Sequence, residues 1–249
     1  MRVGSLFSGI GGIDLGLEWA GMEIAWQVEI DPFCRAVLAK HWPHVPKYED
    51  IRQIRGDELE RVDLITGGFP CQPVSVAGKR KGQKDERWLW PEFARIIRVL
   101  RPKYVLVENV PGLLIRGMGE VLGDLAESGY DAEWQVLPAT AFDRPQLRQR
   151  LYIVAYASGL RCDTSNHENL IFNEAPTPGA EAGTWVLRNI RGNSGRVWRI
   201  PESAFERVDY GLPHELDRLR ALGNAVVPQV AKWIGKRILE HEKLCSTRA

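Results

Sequence analysis

Cysteine is sparse in this 249-residue chain: Cys34, Cys71, Cys162 and Cys245 stand far apart, and no two form a Cys-x-x-Cys pair. That spacing argues against a zinc site and against a thioredoxin-type motif. In a reducing compartment all four are expected as free thiols. His41 and His44 flank Trp42-Pro43 with no cysteine or carboxylate cluster beside them, a poor donor set, so no metal is expected. No apolar run is long enough to span a bilayer and no signal peptide is visible, which leads to the expectation of a cytoplasmic protein. Excess charge is missing too: the net charge is +1, which argues neither for nor against a nucleic-acid partner. Internal repeats and low-complexity tracts are absent. What remains is an ordinary globular composition, 44% hydrophobic and 26% charged, at a length suited to one α/β domain with a small appended lobe.

Against this background one stretch stands out, Asp63-Leu-Ile-Thr-Gly-Gly-Phe-Pro-Cys71-Gln-Pro73. It opens as an apolar strand, breaks at two glycines and presents a cysteine between two prolines. Proline fixes φ and donates no N–H, so Pro70 to Pro73 is neither helix interior nor central strand. Cys71 is thus expected on a stiff loop beyond a strand's carboxyl end, where open α/β sheets bind ligands. Taken alone, a plain surface loop and a mounted nucleophile explain the stretch equally well.

The rest of the chain is read in order. Arg2–Phe7 is a short buried strand that runs into Ser8-Gly-Ile-Gly-Gly12 and then an amphipathic helix from Ile13 to Ala20. Strand, glycine turn and helix form a cofactor-cradling unit, because glycines let a ligand approach the backbone. Asp14 holds the place of the third glycine of a dinucleotide fingerprint, which leaves room for another adenosine cofactor. Glu23–Glu29 is a second strand, ending in an acid roughly 20 residues past the glycines, where nucleotide folds place a ribose acceptor; the plain alternative is a surface acid. Asp31-Pro32 opens a helix through Lys40. Glu49-Asp50-Ile51 follows a stretch with no pattern.

After the strand that delivers Cys71, Val74–Arg87 is a glycine- and lysine-rich loop over a cleft. Trp90–Leu100 has helical spacing. Tyr104–Val107 is a buried strand delivering Glu108-Asn109-Val110-Pro111. Phe7–Gly12, Glu29, Cys71 and Glu108 therefore fall at the carboxyl ends of successive strands expected to be parallel, and in one sheet they meet in one crevice. A thiol and a carboxylate facing a cofactor pocket make a nucleophile and acid/base pair. A helix is expected over Met118–Ser128 and a strand over Tyr130–Leu137. Gln146-Leu-Arg-Gln-Arg150 leads into the strand Leu151–Tyr156, and alternation places Gln146, Arg148 and Arg150 on one face. Those arginines suit an anion or a carbonyl-rich base, or simply an ion pair with a nearby acid. Ser158–Gly183 reads as loop or a small irregular lobe. Gln229–Glu242 reads as a final helix.

Two segments are basic and free of acids: Lys79, Arg80, Lys81 and Lys84, and then Arg188, Arg191, Arg196 and Arg199 interleaved with Trp185 and Trp198. A charge run is often only a solvated face, but basic segments with aromatics also suit a phosphate backbone.

Taken together, these motifs resemble the cytosine-5 DNA methyltransferase family of bacterial or phage type. Leu6-Phe-Ser-Gly-Ile-Gly-Gly12 resembles its S-adenosylmethionine loop, and Gly68-Phe-Pro-Cys71-Gln72 its catalytic loop. Glu108-Asn109-Val110 resembles the catalytic glutamate motif, Gln146-x-Arg148-x-Arg150 the base-holding arginines, and Gly223-Asn-Ala-Val-Val-Pro228 the closing motif. They appear in the family's order and cover nearly the whole chain apart from Ser158–Ile200. The resemblance implies a Rossmann-like sheet with helices on both faces over 1–157, a shortened target-recognition lobe at 158–203, and a C-terminal segment, 204–249, returning to the first part. It implies S-adenosylmethionine contacts at Phe7, Ser8, Gly9, Gly11, Gly12, Glu29, Ile30, Asp50, Ile51, Pro70, Leu89, Asn224, Ala225 and Val226. Among these Glu29 would take the ribose hydroxyls and Asp50 the adenine amino group. Double-stranded DNA would be met by Ser75, Lys79, Arg80, Lys81, Arg188, Arg191, Arg196 and Arg199.

The same resemblance implies a reaction. Cys71 attacks C6 of a flipped cytosine, Glu108 serves N3, Arg150 holds O2, and Arg148 supports the loop or backbone. The protein would be a monomer with no metal, acting in some settings beside a cognate restriction endonuclease. Its one departure from the family is the brevity of the lobe, since reading a sequence takes base-edge contacts. Short or relaxed specificity, specificity supplied by a partner, and a catalytically inactive DNA-binding copy all remain open, as does an RNA cytosine-5 methyltransferase of the same fold.

Overall fold

The computed structural model describes residues 1–70, 88–142, 148–160, 171–172, 176, 187–191, 197–201 and 225–246, with 187–201 and 246 described as backbone only. The chain alternates strand and helix: β1 (Arg2–Leu6), α1 (Gly12–Trp19), β2 (Glu23–Val28), α2 (Pro32–His41), the two-residue β3 (Lys47–Tyr48) and β4 (Leu64–Gly67). There follow α3 (Trp90–Leu100), β5 (Tyr104–Asn109), α4 (Leu113–Arg116), α5 (Met118–Glu127), β6 (Tyr130–Pro138) and β7 (Gln149–Ala157). After β8 (Leu187–Arg191) and β9 (Val197–Pro201), α6 (Pro228–Ser246) closes the described chain.

Seven strands form one sheet in the order β3-β2-β1-β4-β5-β7-β6. β1 pairs in parallel with both β2 and β4, and β4 in parallel with β5; β7 runs antiparallel between β5 and β6. The chain moves outward from β1 to β2 and β3, then returns to the other side of β1 for β4 and β5. The order thus reverses between β1 and β4, the point where such a sheet opens a crevice at its carboxyl end.

The expected parallel strands are therefore in place, and both faces of the sheet are covered. Successive strand residues point to opposite faces. Ile65, Val105 and Val107 join Phe93, Ile96 and Ile97 of α3 and Val121 and Leu125 of α5 in one apolar layer. Leu64, Leu106 and Val154 join Ile13 and Leu17 of α1 and Val230, Ile234 and Ile238 of α6 in the other. Ile171 and Phe172, which the sequence placed in the lobe, pack in this second layer, with Phe172 stacked on Trp233. Helix α6 lies unusually close to α1: a Cβ on Gly16 would stand 2.2 Å from the Pro228 carbonyl oxygen.

Two readings change. The arginine segment falls within the lobe at 158–203 that is expected to be irregular, yet β8 and β9 pair antiparallel, with Asn189 opposite Arg199 and Arg191 opposite Val197. Five-residue strands interrupted by arginine hide the alternation that marks a strand. Cys245, expected as a free thiol, is disulfide-bonded, whereas Cys34 is buried and takes part in no disulfide. Sequence spacing carries no information about which sulfurs approach in space. No described helix is long and apolar enough to cross a membrane, and no group of three metal-ligating side chains occurs among the described residues.

Candidate active site

The glycine turn after β1 is built from left-handed backbone. φ is 52° at Phe7, 56° at Gly9 and 84° at Gly11, conformations that glycine adopts freely and phenylalanine rarely does. A Cβ built on Gly9 meets nothing within 4 Å, so the turn faces open space there. Glu29, just past β2, braces it: Oε2 accepts from Gly9 N at 2.7 Å and Oε1 from Asp31 N at 2.8 Å. Asp31 in turn caps α2, accepting from Phe33 N and Cys34 N as its sequence position predicts. Ile30, beside Glu29, is exposed.

Asp50 follows β3, a strand too short to read from sequence, and caps the turn Ile51–Gln53. Its carboxylate is engaged by the Arg52 backbone N–H at 3.0 Å and by the Arg52 guanidinium at 2.6 Å, which holds its pKa below the usual carboxylate range. Ile51 is buried beneath it. The segment leading into α6 closes the turn from the other side. A Cβ on Gly12 would lie 2.5 Å from the Val226 carbonyl oxygen, so only glycine admits that approach.

The second half of the site joins β4, β5 and β7. Glu108 is buried near the end of β5, and Arg150, at the start of β7, places Nε 3.0 Å from Glu108 Oε1. This contact is an ion pair without hydrogen-bond alignment, and Oε1 has no hydrogen-bond partner among the described residues. Burial raises the Glu108 pKa, outweighing the opposing pull of Arg150 and then Arg148. The chain leaving β4 runs directly past this carboxylate: a Cβ on Gly68 would stand 2.7 Å from Glu108 Oε2. Asn109 Nδ2 donates to Phe69 O at 3.2 Å, tying the two strand ends together. Pro70 is the last described residue on this path, and Cys71 comes next.

Where the chain is described again, the same place is anchored by aromatics. Phe69 meets Trp88 edge-on at 5.2 Å and Trp90 at 5.6 Å, between ring centroids. The indoles are held in turn: Trp88 Nε1 donates to Glu120 at 2.9 Å and Trp90 Nε1 to Asp124 at 2.8 Å, both acceptors on α5. Sequence reading passes over Trp88 and does not give the contact of Gly68 with Glu108 or the role of Asp14. A glycine with no periodicity and a carboxylate at a mismatched fingerprint position carry no local signal of their contacts. Leu89, between the two tryptophans, is half-buried.

The structure thus brings together Phe7–Gly12, Glu29, Ala225 and Val226 on one side and Pro70, Glu108, Arg148 and Arg150 on the other, along neighbouring strand ends. Cys71, Ser75, Lys79, Arg80, Lys81, Gln146, Arg196 and Asn224 lie outside the described residues. Arg188, Arg191 and Arg199 are placed in β8 and β9 by backbone only.

Comparison with known proteins decides the family. The family described as C-5 cytosine-specific DNA methylase matches residues 1–210. This chain belongs to it. Type II methyltransferase M.FnuDI of Fusobacterium nucleatum is 38% identical over 214 residues, covering 84% of this chain and 58% of that protein. Type II methyltransferase M2.BsuMI of Bacillus subtilis is 38% identical over 164 residues, 62% of this chain and 42% of that protein. The chain spans about half the length of the curated relatives it matches. Among solved structures, a prophage-encoded protein of E. coli superposes with a TM-score of 0.66 at 19% identity, covering 98% of this chain and 99% of that one. The Entamoeba histolytica methyltransferase EhMeth gives 0.62 at 15% identity, covering 100% and 99%. At these identities the likeness concerns the fold, the Rossmann-like α/β sheet expected from the sequence.

Proposed function

We propose that this member of the C-5 cytosine-specific DNA methylase family transfers a methyl group from S-adenosylmethionine to C5 of a cytosine in duplex DNA. The observation that carries the proposal is the passage of the Gly68–Phe69 backbone against the buried Glu108 carboxylate and its half-buried partner Arg150. Cys71 follows Pro70 in the chain, and its thiol is assigned to work with this carboxylate and guanidinium.

The residues present fit the cofactor. The positive-φ turn of Phe7, Gly9 and Gly11 opens onto free space at Gly9, and each Glu29 oxygen accepts one backbone N–H, leaving lone pairs for ribose hydroxyls. Ser8, Gly12, Ile30, Ile51, Leu89, Asn224, Ala225 and Val226 would complete the surround. Asp50 would serve the adenine amino group with its Arg52 pairing kept or displaced. When bound, S-adenosylmethionine supplies an electrophilic methyl group on sulfur.

The chain's own residues supply the rest. Cytosine C5 is a weak nucleophile, so the ring needs activation. The Cys71 thiolate forms a bond to C6, and Glu108, whose raised pKa suits proton donation, protonates N3 as electrons move into the ring. Arg150 holds O2 and stabilises the charge there, with Arg148 beside it. C5 then takes the methyl group, the C5 proton passes to solvent water, and the C6–sulfur bond breaks as N3 returns its proton to Glu108, which restores ring, thiolate and acid. A base stacked in a duplex cannot be reached this way, so it is flipped out at a cost of a few kcal/mol. Ser75, Lys79, Arg80, Lys81, Arg188, Arg191, Arg196 and Arg199 are assigned to the DNA. A cognate restriction endonuclease as functional partner and a monomeric state belong to the same proposal.

The test uses duplex DNA carrying 5-fluorocytosine, labelled cofactor and a denaturing gel. A covalent protein–DNA band that disappears in Cys71→Ala is expected. No band from the native chain, or a band that survives the substitution, sinks the mechanism.

A further inference from the structure

Asp14 stands directly behind the cofactor turn, in the first turn of α1, with no exposed surface. Its Oδ1 accepts from Ser5 Oγ at 2.6 Å and its Oδ2 from Gln27 Nε2 at 2.7 Å. Ser8 Oγ lies 2.9 Å from Ser5 Oγ, with the carbonyl oxygens of Ser5 at 3.2 Å and Val28 at 3.5 Å as further acceptors.

The polarity of this chain is set from one end. An ionised carboxylate accepts and never donates. The single proton of Ser5 therefore goes to Asp14, which leaves Ser5 Oγ as an acceptor toward Ser8. All three neighbours of the Ser8 hydroxyl among the described residues are then acceptors, so its one proton is committed inward, and only its lone pairs remain for anything beyond. Ser8 itself sits between Phe7 and Gly9, both left-handed, so its hydroxyl anchors the part of the turn that is most strained.

We infer that Asp14 is a positioning residue for cofactor binding: through Ser5 it orients Ser8 to accept from a donor group of S-adenosylmethionine. The inference rests on the cofactor reading above. A buried carboxylate is a costly way to fill this space, since burial lifts its pKa to about 6, and an apolar side chain would carry no such penalty.

Calorimetric titration of the full chain with S-adenosylhomocysteine tests it. Ser5→Ala is expected to weaken binding about five- to tenfold, the worth of one oriented hydrogen bond, with a thermal midpoint within a few degrees of wild type. Ser8→Ala should lose a similar factor, and the Ser5→Ala/Ser8→Ala double variant should lose no more than Ser8→Ala alone. Asp14→Asn, which keeps an oxygen for Ser5, should bind like wild type, while Asp14→Leu should match Ser5→Ala. Unchanged affinity in Ser5→Ala, or losses that multiply in the double variant, overturns the inference and leaves the cofactor reading standing. No binding by the wild-type chain overturns both. Should Asp14→Leu fail to fold, the serine cycle decides alone.

Discussion

Arg150 Nε stands 3.0 Å from Glu108 Oε1, although the two residues come from antiparallel strands and are 42 positions apart in number. Their attraction lowers the Glu108 pKa against the larger effect of burial, which raises it. Arg150→Ala removes that attraction, so the Glu108 pKa rises further. The limb of the kcat–pH profile that reports loss of the Glu108 proton is expected to move to higher pH. The maximal rate should fall about 10²- to 10³-fold with loss of charge stabilisation at O2. Single-turnover methyl transfer across pH 5.5–9 measures both; an unmoved limb would separate Arg150 from Glu108.

Gly68 and Gly12 make opposite predictions for the same substitution. At Gly68 the obstacle to a Cβ is the Glu108 carboxylate, 2.7 Å away, which can be pushed aside. Gly68→Ala should therefore cost little stability and at least tenfold in kcat. At Gly12 the obstacle is the backbone carbonyl of Val226 at 2.5 Å. Gly12→Ala must displace the lead-in to α6, with a loss of about 1–3 kcal/mol in denaturant unfolding. Equal stability losses in the two variants would contradict this assignment.

Glu29 accepts two backbone N–H groups, one from Gly9 in the turn after β1 and one from Asp31 at the start of α2. Glutamine has one oxygen acceptor, so Glu29→Gln leaves either Gly9 or Asp31 without its partner. Affinity for S-adenosylhomocysteine should fall by about tenfold or more, with the fold intact by circular dichroism. Wild-type affinity would remove Glu29 from the site.

Asp14 links stability to pH. Its folded pKa of about 6 lies above the ordinary 3.8, so between these values the folded chain holds a proton that the unfolded chain has released. The contribution is complete below about pH 4 and is lost as pH rises through 6. At pH 7 the ionised group costs on the order of 3 kcal/mol relative to its neutral form. Asp14→Asn is expected to approach wild-type stability near pH 4 and to exceed it at pH 7. Urea unfolding at the two pH values reads the difference; equal gains at both would show that the charge is not the cause.

Much of the candidate site was legible because its signals are local. The glycine turn, the Asp31 cap and the strand before Cys71 each announce themselves within a few residues, through φ freedom, capping and apolar runs. The arginine pair was legible only as two alternatives, a base contact or an ion pair. The ion pair is present, and its partner is the catalytic candidate Glu108. Asp50 was missed by pattern because the strand before it has two residues, too few to show a period. Trp88 was missed because its value lies in contacts with Phe69 and Glu120, which no spacing records.

The sequence alone determined which residues are candidates for the chemistry and the order in which strands present them, since motif, turn and period are properties of neighbouring positions. Tertiary structure decided their condition. The reversal of strand order between β1 and β4 opens the crevice. The burial of Glu108 and Asp14 raises both pKa values, and the press of Val226 against Gly12 closes the turn. Desolvation and close approach act through space, and residues far apart in the chain acquire them only when the sheet has assembled.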